Sequence, residues 1–255
     1  MLDAKFFHTL DYQPNEAALK DKVILVTGAG DGIGRAAALS YAALGATVIL
    51  LGKTVVKLEA TYDAIVAAGH PQPAIYPMDL LGANPDHHQE MADTIAAQFG
   101  RLDGILHNAS ILGTLSPIAN QNIEEWYRVQ KVNINAVFLM TRACLPLLMK
   151  AESASVIFTS SGVGRQGRAY WGAYSVSKFA TEAFMQILAD ELETNTNVRS
   201  NCINPGATRT KMRAKAYPGE DSQTLPTPED IMPLYVYLMS DDSHAINGES
   251  LDAQA

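Results

Sequence analysis

The sequence predicts an α/β fold: a doubly wound parallel sheet of about seven strands, in a single domain. Three observations carry this. Strand-length apolar runs alternate with helical stretches from residue 22 to about 240. Runs such as Val23-Ile24-Leu25-Val26 have no polar face, as expected of parallel strands covered by helices on both sides. No linker rich in Pro, Gly or Ser divides the chain, and no repeat of 20–50 residues appears.

In chain order, strands are expected at 23–26, 47–51, 74–77, 104–106, 155–159, 199–203 and 250–251. Helices are expected at 31–44, 54–68, 85–99, 123–150, 172–193 and 227–239. Gly69 and Gly100 mark two helix ends, where a left-handed residue is wanted. Pro146 falls near the end of the fourth helix. Right-handed crossovers then place helices on both faces of the sheet. Residues 206–226 lack periodicity and are read as a lid. Residues 1–21 are read as an N-terminal extension and 22–255 as the domain.

Composition excludes several classes. Hydrophobic residues make up 47% and charged residues 18%, too apolar for disorder. A net charge of −8 argues against a nucleic-acid partner, because phosphate neutralisation needs clustered cations. No apolar run approaches a bilayer span and the N-terminus has no secretory core, so no membrane partner and a cytoplasmic location are expected. Cys144 and Cys202 lie in apolar runs and read as buried thiols in a reducing compartment. The histidines, including His87, His88 and His107, read as surface or structural, and no metal is required.

Thr27-Gly28-Ala29-Gly30-Asp31-Gly32-Ile33-Gly34 follows the first strand and opens the first helix. Glycines there permit a tight turn and close approach of backbone to a pyrophosphate, and the helix N-terminus offers unpaired N–H groups. The Thr-Gly-x-x-x-Gly-x-Gly spacing resembles that of the short-chain dehydrogenase/reductase superfamily. The resemblance extends over about residues 22–252. Val163-Gly164-Arg165-Gln166-Gly167-Arg168 and Asp230-Ile231-Met232-Pro233-Leu234-Tyr235, among other runs, look closest to the YciK-like bacterial oxidoreductases. The family implies a Rossmann fold of strand order 3-2-1-4-5-6-7.

The second strand ends Leu50-Leu51-Gly52-Lys53-Thr54, without the carboxylate that would bond ribose hydroxyls and repel a 2′-phosphate. Lys53 beside a small neutral residue favours NADP(H), with NAD(H) the other candidate. Asp79 and Leu80 close the third strand; the resemblance assigns the Asp to the adenine ring, and helix capping is its other reading. Asn108 and Ala109 match the family's Asn-Asn-Ala-Gly. Pro205, Gly206, Thr208 and Thr210 match the segment bordering the nicotinamide.

Tyr174 and Lys178 stand one helical turn apart and can reach one cleft. A phenol with a pKa of about 10 is a sluggish base at neutral pH, and an adjacent cation is expected to lower it. Ser161 follows the fifth strand, thirteen residues before Tyr174, the family's separation; Ser160 is its near neighbour. Asn133 matches the family's helical Asn, and Asn135 would face away. The resemblance implies that Tyr174 exchanges the proton, Ser161 bonds the substrate oxygen, Lys178 bonds the nicotinamide ribose and tunes Tyr174, and Asn133 shapes a water relay.

The expected activity is hydride transfer between NADP(H) and a carbonyl or alcohol. A cofactor-holding redox sensor and a non-redox lyase are the alternatives; a sensor would not need Ser161, Tyr174 and Lys178 together. Arg165, Arg168, Arg209, Lys211, Arg213 and Lys215 cluster in two segments flanking the cleft. They point to an anionic substrate such as an oxoacyl thioester, or to a solvated lid partnered by Glu220 and Asp221. The helices over 123–150 and 172–193 resemble the family's subunit interfaces, implying a homodimer or homotetramer.

Overall fold

The computed structural model describes residues 12–254. The strands are β1 (Val23–Thr27), β2 (Thr47–Gly52), β3 (Ala74–Pro77), β4 (Gly104–His107), β5 (Ala154–Thr159), β6 (Val198–Asn204) and β7 (Ser250–Asp252). They form one parallel sheet in the order β3-β2-β1-β4-β5-β6-β7. The helices are α1 (Gly32–Ala43), α2 (Val55–Ala67), α3 (Pro85–Phe99), α4 (Ile123–Gln130), α5 (Ala136–Leu148), α6 (Gly172–Leu192), α7 (Lys211–Ala216) and α8 (Met232–Met239).

Alternation along each strand splits the core in two. Ile24, Val26, Val48 and Leu50 pack with Ala37, Leu58 and Leu234, from α1, α2 and α8. Val23, Leu25, Ile49 and Leu51 share the opposite cluster with Met91, Met140 and Met185, from α3, α5 and α6. Strand order reverses between β1 and β4, and a crevice opens there beyond the strands' carboxyl ends.

Local chemistry sets the helix boundaries. Asp31 caps α1 by accepting from Gly32 N–H. Asn84 and His87 form a reciprocal cap at α3, and Gly100 ends it at φ 76°. Cys144 and Cys202 are buried free thiols. His107 is buried, stacks on Phe158 at 5.0 Å and bonds Thr141 at 2.9 Å; burial lowers its pKa to about 3.

Three expectations need correction. The helix expected at 123–150 is two helices joined by a π-helical turn over Lys131–Asn135. β-Branched and Asn residues there are weak helix formers, and tertiary bonds from Asn133 hold the wider turn. The aperiodic lid contains α7, capped by Thr210 accepting from Arg213 N–H, and a 3-10 turn over Ser222–Thr224. Six residues are too few to display periodicity. The last helix begins at Met232, because Thr227 and Asp230 close a turn on each other before it.

Residues 1–11 of the expected N-terminal extension lie outside the described residues. Its remainder packs on the body: Leu19 is fully buried, and the Tyr12 hydroxyl donates to Asp242 at 2.9 Å. No helix among the described residues is long and apolar enough to cross a membrane.

Candidate active site

A cavity of about 450 Å³ lies beyond the carboxyl ends of the strands. Its floor is the glycine turn between β1 and α1. Gly28 adopts φ 70°, which L side chains rarely take. Gly34 lies in the first turn of α1, where a β-carbon would stand 2.3 Å from the Gly28 carbonyl oxygen. Helix and turn therefore press together, leaving Gly28, Gly30, Asp31, Gly32 and Ile33 on the cavity wall. Thr27 and Gly34 are not on that wall. Thr27 is buried, donates to the Leu106 carbonyl and accepts from Asn108 and Ala109 N–H, so it laces β1 to the end of β4. Both residues shape the cradle from behind.

The far end of the cavity is lined by Gly52, Lys53, Thr54 and Lys57, with Asp79 and Leu80 beside them. Asp79 accepts from Leu81 N–H at 3.2 Å within a turn; it caps no helix, because Asn84 is the N-cap of α3, and so the capping reading is corrected. Lys57, on α2, is a lining cation that sequence reasoning missed. Its spacing from Lys53, one turn at a helix start, was the available signal. Lys57 donates to Asp31 at 2.6 Å. Lys211 of α7 reaches the same carboxylate at 2.8 Å. These two lysines lower the Asp31 pKa to about 2.

Asn108, Ala109, Pro205, Gly206, Thr208 and Thr210 line the near side. There the cavity meets Ser161 and Tyr174. Ser161 lies near enough to the phenol of Tyr174 to lower its pKa, whereas the Ser160 hydroxyl is turned inward and donates to the buried carboxylate of Glu182. Both serines border the cavity, and of the two hydroxyls the one on Ser160 is taken by Glu182. Lys178 is buried behind the wall, its Nζ 5.5 Å from the Tyr174 ring centre and 2.7 Å from the Thr159 carbonyl to which it donates.

Electrostatics correct one expectation. Burial raises the Tyr174 pKa to about 12, and the nearby Ser161 hydroxyl offsets only part of that. Burial also lowers Lys178 to about 8, with Cys202 and Glu182 opposing. Desolvation outweighs the effect expected of the neighbouring amine.

Asn133 stands behind the wall too. Its side chain accepts from Ile111 N–H at 2.9 Å and donates to the Ile111 carbonyl and to Ser177 Oγ, both at 3.0 Å. Ser177 in turn donates to the Tyr174 carbonyl at 2.7 Å. The side chain is a brace between the β4 loop and α6. Asn135 is exposed.

The mouth is apolar. Leu112, Trp171, Met212, Ala216 and Tyr217 line it, with the Trp171 ring 5.8 Å from Tyr174 and 5.9 Å from Tyr217. Four of the six cations expected there are engaged. Arg213 forms two bonds of 2.6 Å with Glu220, Arg209 caps the Gln223 and Leu225 carbonyls, Lys211 meets Asp31, and Arg165 turns to Asp252.

The sequence model of the family described as short chain dehydrogenase matches residues 22–221. The uncharacterized oxidoreductase YciK of Escherichia coli strain K12 is 54% identical over 245 residues, covering 96% of each chain. A short chain dehydrogenase from Escherichia coli CFT073, complexed with NADPH, superposes with a TM-score of 0.92 at 53% identity, over 95% of this chain and 100% of that one. Another from Shigella flexneri 2a str. 301, complexed with NADP, gives a TM-score of 0.92 at 52% identity over 94% and 100%. Fold, cavity and relatives agree: this chain is an oxidoreductase of the short chain dehydrogenase family.

Proposed function

We propose that the protein is an NADP(H)-dependent reductase of a neutral carbonyl compound, with oxidation of the alcohol as the reverse reaction. One observation carries the reading. Tyr174 and Ser161 line the same cavity as the glycine turn, with a buried ammonium behind the phenol ring.

The residues fit the dinucleotide. Lacking side chains, the glycines pack closely on Asn108 and Lys57 and leave the turn's backbone on the cavity wall, and the N-terminus of α1 opens onto it for a pyrophosphate. Lys53 and Lys57 suit a 2′-phosphate, which the relatives complexed with NADP and NADPH also favour. Asp79 and Leu80 would border the adenine, and Pro205, Gly206, Thr208 and Thr210 the nicotinamide. When bound, the nicotinamide supplies the hydride that reduces the carbonyl carbon.

The chain's own groups handle the oxygen. At neutral pH the Tyr174 phenol is protonated and serves as the proton donor. Ser161 hydrogen-bonds the oxygen as negative charge develops. Lys178, held by the Thr159 carbonyl, stabilises the phenolate left behind. Asn133 fixes α6 through Ser177 so that the phenol keeps its aim.

The mouth favours a substrate of low charge. Arg209, Lys211 and Arg213 already have partners, and the rings offer apolar faces. Exposed Phe138, Val176, Phe179 and Ile187 on α5 and α6 suit pairing with a second copy.

Absorbance of NADPH followed with a panel of alicyclic and aryl ketones, aldehydes and oxoacyl thioesters tests the reading. Cofactor oxidation by neutral ketones or aldehydes is expected, faster than with NADH. No oxidation by any member would sink it; thioesters alone as substrates would reverse the assignment of charge.

A further inference from the structure

Behind the cavity runs a chain of ionic contacts. Glu182 lies on the same face of α6 as Tyr174 and Lys178, two turns and one turn further on. Its carboxylate is buried and accepts from Ser160, the last residue before Ser161. Arg165 comes directly after the short turn Gly162–Gly164 opened by Ser161, and its Nε stands 3.6 Å from the same carboxylate. Its Nη1 reaches Asp252 of β7 at 2.7 Å, and its Nη2 reaches Ser250 at 2.7 Å. The oxygen of Asp252 that takes Arg165 also accepts from Asn204 Nδ2 at 2.8 Å. Asn204 Oδ1 accepts from Gly206 N–H at 3.2 Å.

The two ends of this chain are the two sides of the proposed reaction. One is the serine turn beside the Tyr174 phenol. The other is the loop after β6 that borders the cavity opposite it. Pairing of β5 with β6 ends at Thr159 and Ile203, and one last backbone bond runs from Ser160 N–H to the Ile203 carbonyl at 2.7 Å; no backbone bond among the described residues joins the two segments from Ser161 and Pro205 onward. A planar guanidinium with several donors can hold three partners in one geometry, which a lysine cannot.

We propose that Arg165, buttressed by Glu182 and Asp252, is a positioning residue that clamps the serine turn to the Asn204–Gly206 loop at the spacing hydride transfer requires. The proposal rests on the reductase reading above. Misplacement by about 1 Å can slow a reaction by ~100-fold, so a lost clamp acts on kcat rather than on cofactor affinity.

The test compares wild type with R165M, R165K, D252N and the double variant R165M/D252N, using NADPH and the best ketone of the panel. We expect kcat to fall by about 10- to 100-fold in R165M and D252N, with NADPH affinity by fluorescence titration within about threefold of wild type. The double variant should be no slower than the worse single one, because both cut one chain. R165K should recover little. Hydrogen exchange supplies a readout without turnover: R165M should speed exchange in peptides spanning 161–165 and also 204–208. Unchanged kcat, multiplying losses in the double variant, exchange confined to 161–165, or NADPH affinity lost in step with kcat would each overturn the clamp. A wild type inactive on every carbonyl overturns the reductase reading and the clamp together; an active wild type matched by R165M overturns the clamp alone.

Discussion

Asp31 and Lys211 are 180 positions apart in the chain, yet their side chains meet at 2.8 Å and join the glycine turn to the first residue of α7. The lid is thereby fastened over the cradle. Lys211→Ala should release bound NADPH and NADH faster by a similar factor, about 1.5- to 5-fold, the range of an exposed ion pair. Stopped-flow dissociation at low salt checks this, and raised salt should erase the difference between variant and wild type. Equal rates at low salt would remove the latch. The Asp31 pKa is lowered to about 2, so the bridge is complete above the usual carboxylate range and is lost only as pH falls toward 2.

Tyr174→Phe removes the phenol hydroxyl beside Ser161 in the cavity. Turnover should drop by ~100- to 10,000-fold, the usual contribution of a positioned acid. NADPH binding should persist within a few-fold, because the cradle is built from other residues. Retained turnover in steady-state assays would dismiss Tyr174 as proton donor.

Lys178 gives a pH signature. Its folded pKa is lowered to about 8 from 10.5, chiefly by burial. The unfolded chain therefore binds the extra proton between those values, and this group makes stability rise with pH across that window. Carbonyl reduction should decline above about pH 8 as the ammonium is lost. Relative to Lys178→Met, the wild type should gain about 1–2 kcal/mol of unfolding free energy between pH 7 and 9.5. Urea titrations at both pH values measure it; a constant difference would contradict the shift.

Gly34→Ala would push a methyl group to 2.3 Å from the Gly28 carbonyl oxygen and 2.6 Å from Asn108 Nδ2. We expect a stability loss of about 1–3 kcal/mol and much weaker NADPH binding, since the turn itself must shift. Gly167→Ala meets nothing within 4 Å and should stay within about 0.5 kcal/mol of wild type. Thermal melts with and without NADPH separate the two.

The sequence announced what depends on local spacing. Tyr174 and Lys178 share a face because helical geometry puts them there, and Gly28 through Gly34 read as a cradle because they join a strand to a helix. Partnerships across the fold were beyond it. Lys211 looked like part of a basic rim until the turn brought Asp31 to it, and Arg213 until Glu220 folded back onto it. Thr27 and Gly34 belong to the motif, but only packing shows that they work from behind the wall. The Tyr174 pKa depends on burial, which a spacing rule does not contain.

The wide turn at Lys131–Asn135 also sets a limit on the length of the chain around it. Each residue of a regular helix advances the next by about 100°. The wide turn absorbs one extra residue without passing that rotation on, so deleting one residue there would restore a regular helix and leave α5 in phase. A second deletion, with no wide turn left to absorb it, would swing α5 by about that angle, carrying Met140, Cys144 and Leu147 off the sheet and Phe138 toward it. The segment is thus a reserve of one residue in chain length, beyond which a whole helix slips out of phase with its neighbours.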